Sequence, residues 1–341
     1  MSKLAKAMQA AAGNAGKLSV SDVFSTYLYT GNGSTRTINN GIDLDGEGGL
    51  VWIKARANPG TDWHYLFDTE RGATKYLHSN STGAEGTSAS TLTSFNSDGF
   101  SIAGAGGVGQ TGQTYASWTF RKAPKFFDVV TYTGNGVAGR TVAHNLESVP
   151  GMMVVKLLSG GDHWNVWHGA IPSSYIQLNS ISPANSAGAY RWGNNTVAIS
   201  PTSTNFTVSS DSGMNGSGKT YVAYLFANDT SDDGFIQCGN YSGNNGTRTI
   251  TLGWRPQFVL IKNSSKTPSY GDTYWTMFDD KRSNLSAGVT SDRWLSPDRS
   301  NSESFNTVIQ TTATGFEMST STETFNQSGS SYIYMAIKAE D

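Results

Sequence analysis

A single cysteine, Cys238, occurs in the 341 residues. An internal disulfide and any cysteine-based zinc site are therefore excluded, and stability must come from packed cores, hydrogen bonds or contacts between copies. Charge is sparse: 24 Lys and Arg stand against 26 Asp and Glu, and no basic run exceeds two residues. The electrostatic footprint of a nucleic-acid or anionic-membrane binder is missing. No apolar run approaches the roughly 18 residues of a membrane span, and Met1 to Gly16 lacks the apolar core of a secretory signal. The expectation is synthesis in a host cytoplasm, with neither export by that route nor membrane insertion. Against these absences stand 39 Gly, 15 Tyr, 15 Phe and 9 Trp. Aromatics in such number carry the burial that a disordered chain lacks, which points to folded, turn-rich β structure.

The dominant feature is a threefold internal repeat. Tyr29-Thr30-Gly31-Asn32 returns as Tyr132-Thr133-Gly134-Asn135 and as Tyr241-Ser242-Gly243-Asn244, at offsets of 103 and then 109 residues. Each copy continues with Arg36-Thr37, Arg140-Thr141 or Arg248-Thr249, then a hydrophobic run ending in Lys54, Lys156 or Lys262. A tryptophan follows (Trp63, Trp164, Trp275), and a closing tyrosine ends the unit (Tyr115, Tyr221, Tyr332). A period this long exceeds that of solenoids and propellers, so each copy is expected to pack as its own domain.

β-branched and aromatic runs such as Phe127 to Tyr132 and Phe258 to Lys262 are bounded by Gly, Asn, Pro and Ser clusters. That alternation predicts an all-β fold of three tandem β-sandwich, jelly-roll-like domains. The boundaries fall at 23–124, 125–229 and 230–341, preceded by an N-terminal helical arm over 1–22. Within the arm, residues 2–12 are strong helix formers with Leu4 and Met8 on one face, the candidate surface for attachment to a larger particle. Short junctions imply closely stacked domains, and the whole is expected to be elongated.

Chemistry is harder to find. A glycosidase needs two facing carboxylates. Asp43, Asp45, Glu47, Asp62, Asp68 and Glu70 in the first repeat and Asp272, Asp279 and Asp280 in the third have little counterpart in the second beyond Glu147 and Asp162. Asp43 to Glu47 lacks the ligand schedule of an EF-hand, and the histidines lack metal-ligand spacing. The stretch 104–112 (GAGGVGQTG) lacks the Lys-Ser/Thr of a phosphate loop and reads as a flexible hairpin tip. No catalytic residue, metal or cofactor is expected. What recurs is architectural: Gly-Asn for turns, Arg for loop carbonyls, Trp and Tyr for cores. What varies is polar loop with stray aromatic or cationic side chains. Tyr190, Arg191, Trp192, Tyr270 and Arg299 are the candidate ligand contacts, in the manner of shallow sugar sites.

The stretches Val23 to Gly33 and Ala116 to Gly136, with Ala143-His144-Asn145-Leu146 and Val149-Pro150-Gly151-Met152, resemble the repeated domain of virion structural proteins from marine and freshwater tailed bacteriophages. The resemblance covers essentially the whole chain. It implies a lectin-like β-sandwich in a tail fibre or another virion surface protein, and offers no catalytic residues. The third repeat departs from it, with Gly253-Trp254-Arg255-Pro256 in place of the His-Asn-Leu segment. The expectation is a non-enzymatic host-surface-binding component, attached to other virion proteins by its N-terminus, homotrimeric, with host glycans as ligands. A head decoration or cement protein is the alternative, and a glycan-degrading tail enzyme a weaker one.

Overall fold

The computed structural model describes residues 18–57, 63–266, 273–282 and 292–340. The arm helix with Leu4 and Met8 lies outside the described residues, as does Tyr270. Among the described residues no helix is long and apolar enough to cross a membrane.

The chain is an all-β protein of three sandwiches built to one plan. Each repeat forms a large antiparallel sheet and a smaller outer one. In repeat 1 the large sheet runs in the order Phe24–Thr30, Thr114–Arg121, Gly49–Ala55, Tyr65–Asp68, Lys75–His78, Gly86–Thr87. Repeat 2 follows with Phe127–Thr133, Thr220–Ala227, Pro150–Leu157, Asn165–His168, Ile176–Gln177. Repeat 3 has Ile236–Ser242, Ser331–Lys338, Pro256–Asn263, Thr276–Asp279. The signature tyrosines are cross-strand partners in each: Tyr29 with Tyr115, Tyr132 with Tyr221, Tyr241 with Tyr332. Their rings stack at 5.0, 5.0 and 4.8 Å.

The rest of the signature is packing chemistry. A Cβ on Gly31, Gly134 or Gly243 would collide with the carbonyl oxygen of Gln110, Gly216 or Gln327, so only glycine lets the two loops meet there. In repeats 2 and 3 an asparagine locks the turn: Asn215 Nδ2 donates to Asn135 Oδ1, and Asn326 Nδ2 to Asn244 Oδ1, each at 3.0 Å. Repeat 1 uses the 104–112 loop instead. Val108 is buried and its carbonyl accepts the Tyr29 hydroxyl at 2.8 Å, so this segment is a packed clasp and not the flexible tip expected from its glycines.

The middle strands Gly49–Ala55, Pro150–Leu157 and Pro256–Asn263 are buried at every position. A strand with both faces covered reads as an unbroken hydrophobic run. One face meets the repeat's own outer sheet. The other meets the neighbouring repeats: Leu50, Trp52, Met152, Val154, Phe258 and Leu260 belong to a single core shared by all three. The elongated arrangement expected from tandem domains is therefore wrong, because each repeat touches both others.

Equivalent positions carry these seams in cyclic order. Tyr224 of repeat 2 donates to Asp68 of repeat 1 at 2.7 Å, and Trp118 of repeat 1, at the same repeat position as Tyr224, donates through Nε1 to Asp279 of repeat 3 at 2.9 Å. At the third seam His168, which matches Asp68 and Asp279, meets the Tyr334 carbonyl at 3.1 Å. Trp164 Nε1 donates to the carbonyls of His78 and Ser81 in repeat 1, and Trp275 Nε1 to Gln177 in repeat 2. The buried lysines follow the same rule: Lys156 reaches the Thr82 carbonyl at 3.3 Å and Lys262 the Ile181 carbonyl at 3.2 Å. Burial pushes these two ammonium groups down to about 8 and about 7. The first-repeat counterpart of Trp164 is buried His64, one residue past the expected Trp63, which is 42% exposed.

His168 gives the third seam a pH dependence. Its Nδ1 accepts the Ala170 N–H at 3.1 Å, so Nε2 carries the hydrogen that goes to Tyr334, and protonation would break the Ala170 bond. Burial pushes the imidazole from 6.5 down to about 4. Between those values the unfolded chain binds more protons than the folded one, so stability rises with pH across that window. The expected contribution is about 3 kcal/mol. Urea unfolding from pH 4 to 7 should show it, and His168→Gln should flatten the curve by that amount.

Candidate functional site

Tyr190-Arg191-Trp192 sits in the loop between the sheets of repeat 2, and the structure splits the triplet into three roles. The chain turns through a short 3-10 helix, Gly188–Tyr190, held by bonds from the Arg191 and Trp192 N–H groups to the Gly188 carbonyl at 2.9 and 2.7 Å. Trp192 points inward, fully buried, 6.4 Å from the ring of Phe206. It cannot stack on a ligand, which corrects its assignment as a contact residue. A tryptophan in a polar loop serves here as the anchor that ties the loop to the sandwich core.

Arg191 is the strut. Its Nε donates to Asn165 Oδ1 at 3.0 Å, its Nη1 lies 2.6 Å from Asp211 Oδ2, and its guanidinium covers the Tyr175 ring at 4.9 Å. These bonds hold the Arg191 side chain against the loop's own frame, so that it positions the loop.

Tyr190 is the exposed member, at 55%. Its backbone is fixed: the carbonyl accepts Ser209 Oγ at 2.7 Å and Arg191 Nη1 at 3.1 Å, and its N–H goes to Ala187. A bond from the Asn195 N–H to the Ala189 carbonyl joins the two limbs of the loop. Tyr190 adjoins one end of that bond and Val197, also exposed, lies two residues from the other. Asn194 packs against Gly139, two residues from exposed Val137. Four of the six large hydrophobic residues that stand exposed among those described belong to repeat 2: Val137, Val149, Tyr190 and Val197. Asn194 and Asn195 lie between Tyr190 and Val197 in the chain, and their side chains serve the loop, Asn194 Oδ1 accepting from Thr196 and Val197 and Asn195 Nδ2 donating to Ser210. The result is a pinned, partly apolar platform flanked by the Arg191–Asp211 ion pair.

The remaining candidates do not join it. Arg299 belongs to repeat 3, where its guanidinium lies 4.4 Å over the Tyr274 ring. Asp68 and Asp279 are fully buried and bound to Arg71 and Arg282 at 2.5 and 2.6 Å, so they build seams. Asp43 accepts the Gly46 N–H at 2.8 Å as a surface turn. Among the described residues no cluster of His, Cys, Asp or Glu could hold a metal ion. Asp62 and Asp272 lie outside the described residues.

Two sockets escaped the sequence reading although a signal existed. Asp68-Thr69-Glu70-Arg71 and Asp279-Asp280-Lys281-Arg282 share an Asp-x-x-Arg at one repeat position, while the second repeat has His168-Gly169-Ala170-Ile171 there. Arg71 and Arg282 also reach back to the carbonyls of Leu66 and Met277, each at 2.9 Å.

Compared with known families, residues 19–341 match the one described as "Domain of unknown function (DUF7483)". The match spans nearly all of the chain, which belongs to that family. No curated protein matches it.

Proposed function

We propose that this is a non-enzymatic surface protein of a tailed phage particle that binds uncharged host glycans through the Tyr190 platform, and that it is held in the virion by its N-terminal arm. The observation that carries the binding reading is an exposed aromatic ring on a backbone pinned from three sides. An exposed ring set in a fixed loop can cover the apolar face of a pyranose with little loss of side-chain freedom. The likeness of the repeats to phage virion domains supports the location.

One such platform per chain is weak, and many copies on a particle raise the avidity. A homotrimer is not needed to bury the sandwich faces, since the shared core already buries them inside one chain. We therefore propose that the free chain is monomeric and that multivalency comes from the particle. Tyr190→Ala should reduce whole-cell adsorption of particles by roughly tenfold, the equivalent of about 1.4 kcal/mol per site. Stability should change by no more than about 0.5 kcal/mol, as for other exposed positions. Adsorption unchanged by this substitution, with particles intact, would favour a head decoration protein that contacts only capsid.

A further inference from the structure

The three seams are equivalent in design but not in filling. Where repeat 1 meets repeat 2, the outer end of the seam is closed by ions: Lys122 lies 2.8 Å from Glu70 and 3.4 Å from Asp128. The strand register sets the counterparts at the seam between repeats 2 and 3. Glu70 becomes Ala170, Lys122 becomes Asn228 and Asp128 becomes Gln237. Next to this position Thr69 becomes Gly169, whose missing side chain bares the edge of Trp167, with Cη2 at 3.7 Å from where a Cβ would stand.

Two of these counterparts, Ala170 and Asn228, line open space at this seam, while Gln237 Nε2 donates to the Leu252 carbonyl at 2.8 Å. A cavity of about 510 Å³ lies there, walled by Trp167, Ala170, Pro172 and Val149 on the repeat 2 side and by Cys238 and Asn240 on the repeat 3 side. That volume falls within the range of small-ligand sites, about 300 to 1,000 Å³. No charged side chain lines it. Asn228 Oδ1 takes the Cys238 N–H at 3.0 Å, which fixes the amide and leaves Nδ2 to donate. Ser200 and Asn240 supply further polar groups at the mouth. An aromatic and aliphatic wall, amide and hydroxyl groups, and no charge suit a neutral polyhydroxylated ligand. Anions and cations would meet no counter-charge.

We propose that the cavity between repeats 2 and 3 binds a single neutral sugar residue, as a site separate from the Tyr190 platform. The Trp167 rim, Pro172 and Val149 would make van der Waals contact with the sugar's C–H groups, and Asn228 and Asn240 would address its hydroxyls.

The test is saturation-transfer NMR on the full chain with a panel of neutral methyl glycosides and N-acetylhexosamines, and with glucuronate and glucosamine as charged controls. Wild type should transfer saturation to at least one neutral sugar and to neither control. The cavity is read in the Tyr190→Ala background, where transfer to the neutral sugar should persist, and rebuilding the ion triad there by Ala170→Glu, Asn228→Lys and Gln237→Asp should weaken it at least tenfold. Should the triple variant fail to fold, Gly169→Thr, which restores only the first-repeat side chain over Trp167, carries the same expectation. Transfer to no neutral sugar at millimolar concentration, or undiminished transfer in a folded Gly169→Thr protein, would overturn the proposal. Loss of transfer in Tyr190→Ala would overturn it too, by placing the binding on the platform.

Discussion

Replacing Asp279 by Ala should destabilise the protein by about 3 to 5 kcal/mol, the cost of leaving a buried charge without its partner. The Arg282 side chain is fully buried, and Asp279 is its closest anion at 2.6 Å. Glu303 cannot take over: it lies 3.5 Å from Arg282 and already holds Arg56 at 2.7 Å. The same change removes the acceptor for Trp118 Nε1, so the seam between repeats 3 and 1 loses that hydrogen bond as well, while the Arg56–Glu303 pair still crosses it. Chemical denaturation should register the loss as a lower midpoint. Replacing both members, Asp279→Leu with Arg282→Met, should recover most of it, because a well-packed apolar pair avoids the desolvation that an isolated arginine suffers. A cost below about 1 kcal/mol for Asp279→Ala would mean that the socket is open to water.

Trp164→Ala should cost a similar 3 to 5 kcal/mol through the cavity it leaves. Trp164 is fully buried, stacks on Tyr224 at 6.3 Å, and Tyr224 in turn donates to Asp68. Its loss therefore loosens the seam between repeats 1 and 2 from both sides. Trp63→Ala is the matched control. Because the ring of Trp63 is 42% exposed and rests 5.0 Å from the His78 ring, while His64 holds the equivalent buried position, that substitution should cost only about 1 kcal/mol. Equal effects of the two changes, read from urea midpoints, would contradict the assignment.

Much of each sandwich could be read from the sequence, because its determinants are local or recur. Tyr-x-Gly-Asn marks a turn whose glycine must meet backbone, and the continuous apolar strands mark burial on both faces. The arrangement of the three sandwiches could not be read the same way. It rests on pairs such as Trp118 and Asp279 or Tyr224 and Asp68, separated by 161 and 156 residues, and each member alone looks ordinary. Asp68 and Arg71 resemble turn charges until the neighbouring repeat covers them. The error at Trp63 has a simpler cause: in a strand, alternate side chains face opposite ways, so a slip of one residue exchanges inside for outside. In the loop of repeat 2, composition pointed to Tyr190, Arg191 and Trp192 alike. Only the fold shows that one is buried, one is tied to Asp211, and one remains for a ligand.

The claim on which the rest depends is that three repeats share one core and close on one another as a single body. Scanning calorimetry of the wild-type chain tests it most directly, since a two-state unit shows equal calorimetric and van't Hoff enthalpies. The shared core predicts one transition with a ratio near one, lowered as a whole by Asp279→Ala and by Trp164→Ala although these lie at different seams. Separable transitions, or a calorimetric enthalpy about three times the van't Hoff value, would show three domains that fold independently and would contradict it.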